Sequence, residues 1–194
     1  MGFFGAFGFH PQHTGGNPSP PTTINYGLFE QTADSAIVTN TTTETSIIGA
    51  GVGVLNVPAN TFQVGDSFHV SLSGHINSKN NNKLRIRVKT VGGVLLADTN
   101  AVTMPQCTNQ HYDIKCVFTI RSLGVAGVAE IASTLMFTYT KDASNAFEGE
   151  NVSIINNTTF DTTISNTLAI TAQWDTTDVL NSIYSEILVL NKIY

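Results

Sequence analysis

Charged side chains are scarce in this sequence. Asp, Glu, Lys and Arg make up only 12% of the 194 residues, roughly half of the share typical of soluble domains. The formal net charge is −5, and a chain without a surplus of Lys and Arg is poorly suited to holding phosphate groups. We therefore expect no nucleic-acid partner, and we expect a polar surface built from Thr, Asn and Ser.

Long apolar runs and cysteines are also missing. No stretch approaches the ~20 apolar residues of a membrane span, and the first residues lack the basic region of a secretory signal. The sequence therefore predicts no membrane span and synthesis in the cytoplasm. Cys107 and Cys116 are the only cysteines, too few for a disulfide scaffold or a four-ligand zinc site. We expect both to be buried free thiols.

Helical periodicity is absent too, and period-two alternation takes its place from residue 25 onward. The clearest run is Ser67–Asn77, where apolar and polar residues alternate strictly, as in a strand with one face on a core. Lys83–Lys89 repeats this pattern. Together with the remaining candidates it predicts about eight to ten strands and few helices. The other candidate strands are Thr45–Gly49, Val94–Ala97, Tyr112–Arg121, Ala126–Tyr139, Val152–Ile155, Thr167–Trp174 and Ser182–Leu190.

These patterns predict a single all-β domain at 25–194, an antiparallel β-sandwich, with the jelly roll as the commonest arrangement of that many strands. Residues 1–24 differ, because a Phe/Gly-rich stretch is followed by a Pro/Gly linker. We refer to residues 1–24 as the Phe-rich arm. Such an arm is either an unattached tail or a peptide docked on a neighbour, and we favour docking. Its anchoring residues would be Phe3, Phe4, Phe7 and Phe9.

The polar stretch between the two clearest strands predicts a hairpin over residues 67–89. Its core face would hold Phe68, Leu72, Leu84, Ile86 and Val88. Its outer face would be basic, which is typical of a solvated sheet face, and alternatively of a surface for an acidic partner or a sulfated or sialylated glycan. The residues predicted on that face are His69, His75, Lys83, Arg85, Arg87 and Lys89.

The last predicted strand carries apolar residues at both alternating sets of positions, so both of its faces require burial. It would lie centrally, or contact another subunit. One face would hold Ile183, Ile187 and Val189, and the other Tyr184, Leu188 and Leu190.

Residues 55–132 resemble structural proteins of tailed phages and large DNA viruses that have a tumour-necrosis-factor-like (TNF-like) jelly roll. The resemblance rests on a Pro-Ala-Asn-Thr turn, a Gly-Asp turn, a strand with alternating basic residues, a Gly-Gly hairpin and a Phe-Thr-Ile-Arg-Ser strand. It implies a virion component, commonly trimeric, and no catalytic residues. The matching segments are Pro58–Thr61, Gly65–Asp66, Arg85–Val88, Gly92–Gly93 and Phe118–Ser122.

No constellation of catalytic or metal-binding residues emerges from the sequence. Gly65-Asp66-Ser67 is similar to the nucleophile block of an esterase family, but the last histidine is His111, so the late His partner is missing. His69 and His75 share a strand face but would lie ~20 Å apart, too far to share a metal ion. We expect no catalytic, metal or cofactor site and no enzymatic activity.

The sequence therefore favours a structural virion protein, an oligomeric jelly-roll subunit of a viral capsid, vertex, spike or tail that the arm anchors to other virion proteins. A homotrimer is the first expectation and a pentamer the alternative. A receptor- or glycan-binding knob on the same scaffold is the alternative function.

Overall fold

The structure is a computed structural model that describes residues 27–142 and 144–193. These residues form antiparallel sheets joined by turns and loops, so the predicted all-β class is confirmed. The Phe-rich arm and the boundary at residue 24 lie outside the described residues. The strands are β1 (Gly27–Gln31), β2 (Val38–Thr39), β3 (Thr45–Ser46), β4 (Gly51–Gly53), β5 (Asn56–Val57), β6 (Ser67–Ser78), β7 (Lys83–Thr90), β8 (Leu95–Asp98), β9 (Val102–Thr103), β10 (Cys107–Ser122), β11 (Glu130–Thr140), β12 (Phe147–Asn156), β13 (Asn166–Trp174) and β14 (Ser182–Lys192).

The strands divide between two sheets. The eight-stranded sheet has the order β12-β11-β10-β6-β14-β1-β4, with β2 paired to β14. The six-stranded sheet has the order β3-β13-β7-β8, with β5 paired to β13 and β9 to β7. Side chains from both sheets form one hydrophobic core, as in a β-sandwich.

The core confirms the alternation read from the sequence. Every second residue of β6 and β7 is buried, including all five residues predicted for the core face. The largest fully buried side chains include Trp174, Tyr112 and Phe137, and burial of one large apolar side chain contributes about 1.5–3 kcal/mol. Cys107 and Cys116 are buried and free, as predicted.

The predicted hairpin over residues 67–89 is wrong. β6 pairs with β10 and β14 in the eight-stranded sheet, whereas β7 pairs with β13 and β8 in the six-stranded sheet. The chain between them, residues 79–82, therefore crosses from one sheet to the other. Alternation fixes which face of a strand is buried, but it does not determine which strand lies beside it.

The last strand, β14, is central as predicted, but its faces are divided differently. A β-bulge between Ser185 and Ile187 shifts the register against β6. Ile183 and Leu188 are both buried, while Ile187 is 55% exposed. A bulge inserts one residue and so reverses the alternation on its far side, which places Ile183 and Ile187 on opposite faces.

Several strand boundaries also differ from the prediction, among them the start of β10 at Cys107 instead of Tyr112. β11 begins at Glu130, and not at Ala126, because the preceding residues form a turn in which Gly127 has a φ of +85°, a region that favours glycine. β12 begins at Phe147, five residues before the predicted strand. The Phe147 side chain is 78% exposed.

Candidate interaction surfaces

The outer face of the six-stranded sheet carries four basic side chains of β7. Lys83, Arg85, Arg87 and Lys89 alternate with buried apolar residues, so their predicted outward orientation is confirmed. Lys83 is exposed, but the other three are only partly accessible. Their surroundings explain why.

Glu44, in the loop before β3, lies among these basic groups. Its carboxylate forms ion pairs with Arg87 at 2.9 Å and Lys89 at 2.6 Å, and it accepts a hydrogen bond from the Thr171 hydroxyl at 2.5 Å. Arg87 also donates to Gln173 at 2.9 Å. Burial alone would raise the pKa of Glu44, but the bonds from Lys89 and Thr171 and the charges of Arg87 and Lys89 outweigh it and lower the pKa.

Asp98, at the end of β8, pairs with Arg85. The Arg85 Nε lies 2.9 Å from one carboxylate oxygen and 3.1 Å from the other, and Nη2 also donates to the group. The backbone N–H of Asn100 donates to Asp98 at 2.8 Å. Burial would raise the pKa of Asp98, but these hydrogen bonds and the charges of Arg85 and Arg87 lower it below 3.8.

The predicted basic face is therefore a network of alternating charges. Glu44 and Asp98 neutralise much of it, and the sequence reasoning missed both acids. A partial signal existed for Asp98, because the glycine pair Gly92–Gly93 predicts a hairpin that brings β8 beside β7, although a bulge between Val88 and Lys89 shifts the register before Arg87 and Asp98 pair. No comparable signal exists for Glu44, which precedes a two-residue strand on a different part of the sheet.

His69 and His75 do not join this network. They lie on β6, on the outer face of the opposite sheet, so the structure separates them from the four basic residues of β7. The grouping of all six residues on one face is wrong because the two strands do not pair.

The two histidines also have different neighbours. His75 pairs across the sheet with His111 and Tyr184, at ring distances of 6.0 and 5.9 Å, and its Nδ1 lies 3.2 Å from Glu186. His69 lies opposite Val117 on β10. Within residues 27–142 and 144–193, no group of three His, Cys, Asp or Glu side chains is placed to hold a metal ion.

A different surface is built where β6 begins and β10 ends. Four loops meet there, and we call them together the aliphatic end. Backbone hydrogen bonds join three of them, since Thr162 donates to Gly124 at 2.9 Å and Asn60 donates to Thr162 at 2.9 Å, and the fourth is bonded to the start of β13 by Val91, which donates to Thr167 at 2.8 Å. The loops are residues 58–66, 91–94, 123–129 and 157–165.

The four loops of the aliphatic end carry little charge, and the Arg121–Glu130 ion pair lies at their edge. The loops contain no Lys or Arg, and Asp66 and Asp161 are their only acids. Asp66 is 5% exposed and binds Lys192 at 2.6 Å, while Asp161 accepts hydrogen bonds from Thr163. Six large aliphatic side chains nevertheless face solvent, each at least 43% exposed. They are Val64, Val91, Leu123, Val125, Val128 and Ile164.

A cluster of phenylalanines supports the aliphatic end from inside. Phe62 packs edge-on against Phe68 and Phe160, at ring distances of 6.1 and 5.8 Å, and Phe68 stacks on Phe118 at 5.1 Å. A cavity of 30 Å³ remains among these rings. That volume accommodates about one water molecule and is far below the ~300 Å³ of a small-molecule site. The surface is therefore suited to contact another chain.

The opposite end of the sandwich is different. Its loops at 79–82 and 175–181 carry Lys79, Asp175 and Asp178, and Lys79 binds Asp178 at 2.9 Å. Apolar side chains are exposed there too, and Ile37, Val179 and Leu180 line one groove beside these charged loops. We call this the charged end.

No family model, no curated protein and no solved structure matches this chain. In the part of the chain that the structure describes, no helix has the length and apolar character needed to cross a membrane.

Proposed function

We propose that this chain is a structural virion protein, a jelly-roll subunit that forms a closed homo-oligomer in a viral capsid, vertex, spike or tail. The proposal that the chain forms a homo-oligomer rests on the aliphatic end, where six large apolar side chains are exposed with almost no charge among them. Concentrated exposed apolar surface is typical of protein contacts. The virion part rests on the resemblance of residues 55–132.

The strand order supports the jelly-roll part of the proposal. β1-β14-β6-β10 run side by side in one sheet, opposite β3-β13-β7-β8 in the other. The chain changes sheet between β6 and β7 and again between β13 and β14. Connections that alternate between two four-stranded layers are typical of a jelly roll. β11 and β12 would then be an additional hairpin that extends one sheet.

One form of the alternative function, a receptor- or glycan-binding knob, would use free basic side chains of β7 to bind an acidic glycan. Arg85, Arg87 and Lys89 are instead paired with Asp98 and Glu44. An acidic sugar would have to displace those carboxylates, so we favour the structural role.

Mass measurement tests the assembly part. Light scattering of the full chain at micromolar concentration should give the mass of a closed oligomer, a trimer first and a pentamer second. A stable monomer under these conditions would contradict the proposal. The virion part is tested by peptide mass spectrometry of virus particles purified from the source of this sequence, in which the chain should be a stoichiometric component.

A further inference from the structure

The Phe-rich arm shares its chemistry with the aliphatic end. Residues 1–26 contain no Asp, Glu, Lys or Arg, and the large apolar side chains exposed at the aliphatic end are Val, Leu and Ile, beside exposed but uncharged Asn, Gln, Thr and Ser. Two apolar surfaces without charge gain free energy when they bury each other, and neither has to strip water from an ion. The arm is therefore a chemically suitable occupant for this end.

The chain also enters the fold at this end. Gly27, the first residue of β1, lies opposite Asn191, which in turn lies opposite His69, two residues from the start of β6. Ile193, beyond β14, donates to the carbonyl of Ser67 at 2.8 Å. The arm therefore attaches beside the aliphatic end, and the charged end lies at the far side of the sandwich.

The linker is longer than docking on the same copy requires. Phe9 precedes Gly27 by 18 residues, and a chain of that length can span at most about 60 Å. The widest sheet has seven strands along its path, which at ~4.8 Å per strand gives a width of about 30 Å. The arm can therefore reach a neighbouring copy.

We propose that the aliphatic end binds the Phe-rich arm of a second copy of this chain, so that the subunits of the oligomer exchange arms. The idea rests on the proposed function, because it identifies the surface through which the oligomer forms. Phenylalanine rings of the arm pack between the aliphatic side chains around Val125, Val128 and Ile164. Each copy thus both donates an arm and receives one.

Cysteine cross-linking tests the exchange directly. Phe7→Cys combined with Val125→Cys should form disulfides between copies, seen on a non-reducing gel as covalent dimers and, when linking is complete, the full oligomer. The control is Phe7→Cys with Val179→Cys, because Val179 is 76% exposed at the charged end. Cys107 and Cys116 are buried and do not compete. A link within one copy, or equal linking to both positions, would overturn the exchange.

A second pair of variants separates this inference from the proposed function. Val125→Asp with Val128→Asp, and separately removal of residues 1–24, should each raise the dissociation constant of the oligomer at least tenfold, while circular dichroism stays that of a β-protein. Val179→Asp with Leu180→Asp is the matched control and should change the dissociation constant of the oligomer less than threefold. An oligomer unaffected by all three changes would refute arm exchange but preserve the proposed function.

Discussion

Asp98 is an almost buried carboxylate among the arginines of the basic face. Only 6% of its side chain is accessible, and Arg85, Arg87 and a backbone N–H surround it. A carboxylate with so little access to water needs these partners, because a buried charge that loses its partner is costly. The arginines of this face are therefore part of the fold as well as of the surface.

We predict that Asp98→Asn destabilises the protein by about 1–3 kcal/mol at pH 7, because charge-assisted hydrogen bonds to Arg85 are lost. Urea unfolding of the two proteins measures the difference. Asp34→Asn is the control, since Asp34 is exposed and such changes alter stability by less than ~0.5 kcal/mol. Equal stability of the Asp98 variant and the parent would show that the pair contributes nothing.

The stability difference between the parent protein and Asp98→Asn should depend on pH. The pKa of Asp98 is lower in the folded protein than the ordinary value of 3.8, so its ionised form stabilises the fold above about pH 4. That contribution disappears as the pH falls through the lower, folded-state value. The stability difference between parent and Asp98→Asn should therefore be constant from pH 5 to pH 7. It should shrink at pH 3, and a difference that grows in acid would contradict this assignment.

At the scale of the strand, β6 and β14 approach each other closely at Gly74. This glycine is opposite Ser185, next to the β14 bulge. A Cβ added at Gly74 would overlap the carbonyl oxygen of Tyr184 and lie 2.7 Å from the Cα of Ser185. Both neighbours are backbone atoms, which cannot move aside without displacing the strand.

We predict that Gly74→Ala destabilises the protein by about 2 kcal/mol or more, as expected for overpacking at a buried strand contact. Gly92→Ala is the matched control, because the nearest atom to its added Cβ would be the Thr90 hydroxyl oxygen, at an ordinary 3.6 Å. Thermal and urea unfolding of both variants provide the test. Unchanged stability of Gly74→Ala would mean that β6 and β14 are farther apart than described.

The strands also show what the sequence could and could not predict. Period-two alternation identified β6, β7 and their buried faces, because the pleat alone determines which side chains share a face. It did not predict that residues 79–82 cross between sheets, since a short polar loop suits a hairpin and a crossover equally well. The β14 bulge and the partners of Glu44 depend on contacts between distant segments, which no local pattern encodes.

For the molecule as a whole, the charges are unevenly placed along the sandwich. The loops of the charged end include Lys79, Asp175 and Asp178, whereas the aliphatic end retains only Asp66 and Asp161, both already bonded within the chain. The basic side chains of β7 are largely neutralised by their own sheet. An assembly contact through the aliphatic end would therefore contain few free charges.

This distribution predicts how the assembly responds to salt. Salt screens the attraction between exposed charges, and the screening length is ~8–10 Å at an ionic strength of 0.1–0.15 M. An oligomer held together by the basic face would therefore dissociate as salt is added. One held by the aliphatic end should keep the same dissociation constant, within about twofold, from 0.05 to 0.5 M sodium chloride. Sodium sulfate should tighten it, because excluded salts strengthen apolar burial. Sedimentation of the full chain across these conditions measures the constant. Dissociation that rises steeply with chloride would instead assign the contact to the charged surfaces.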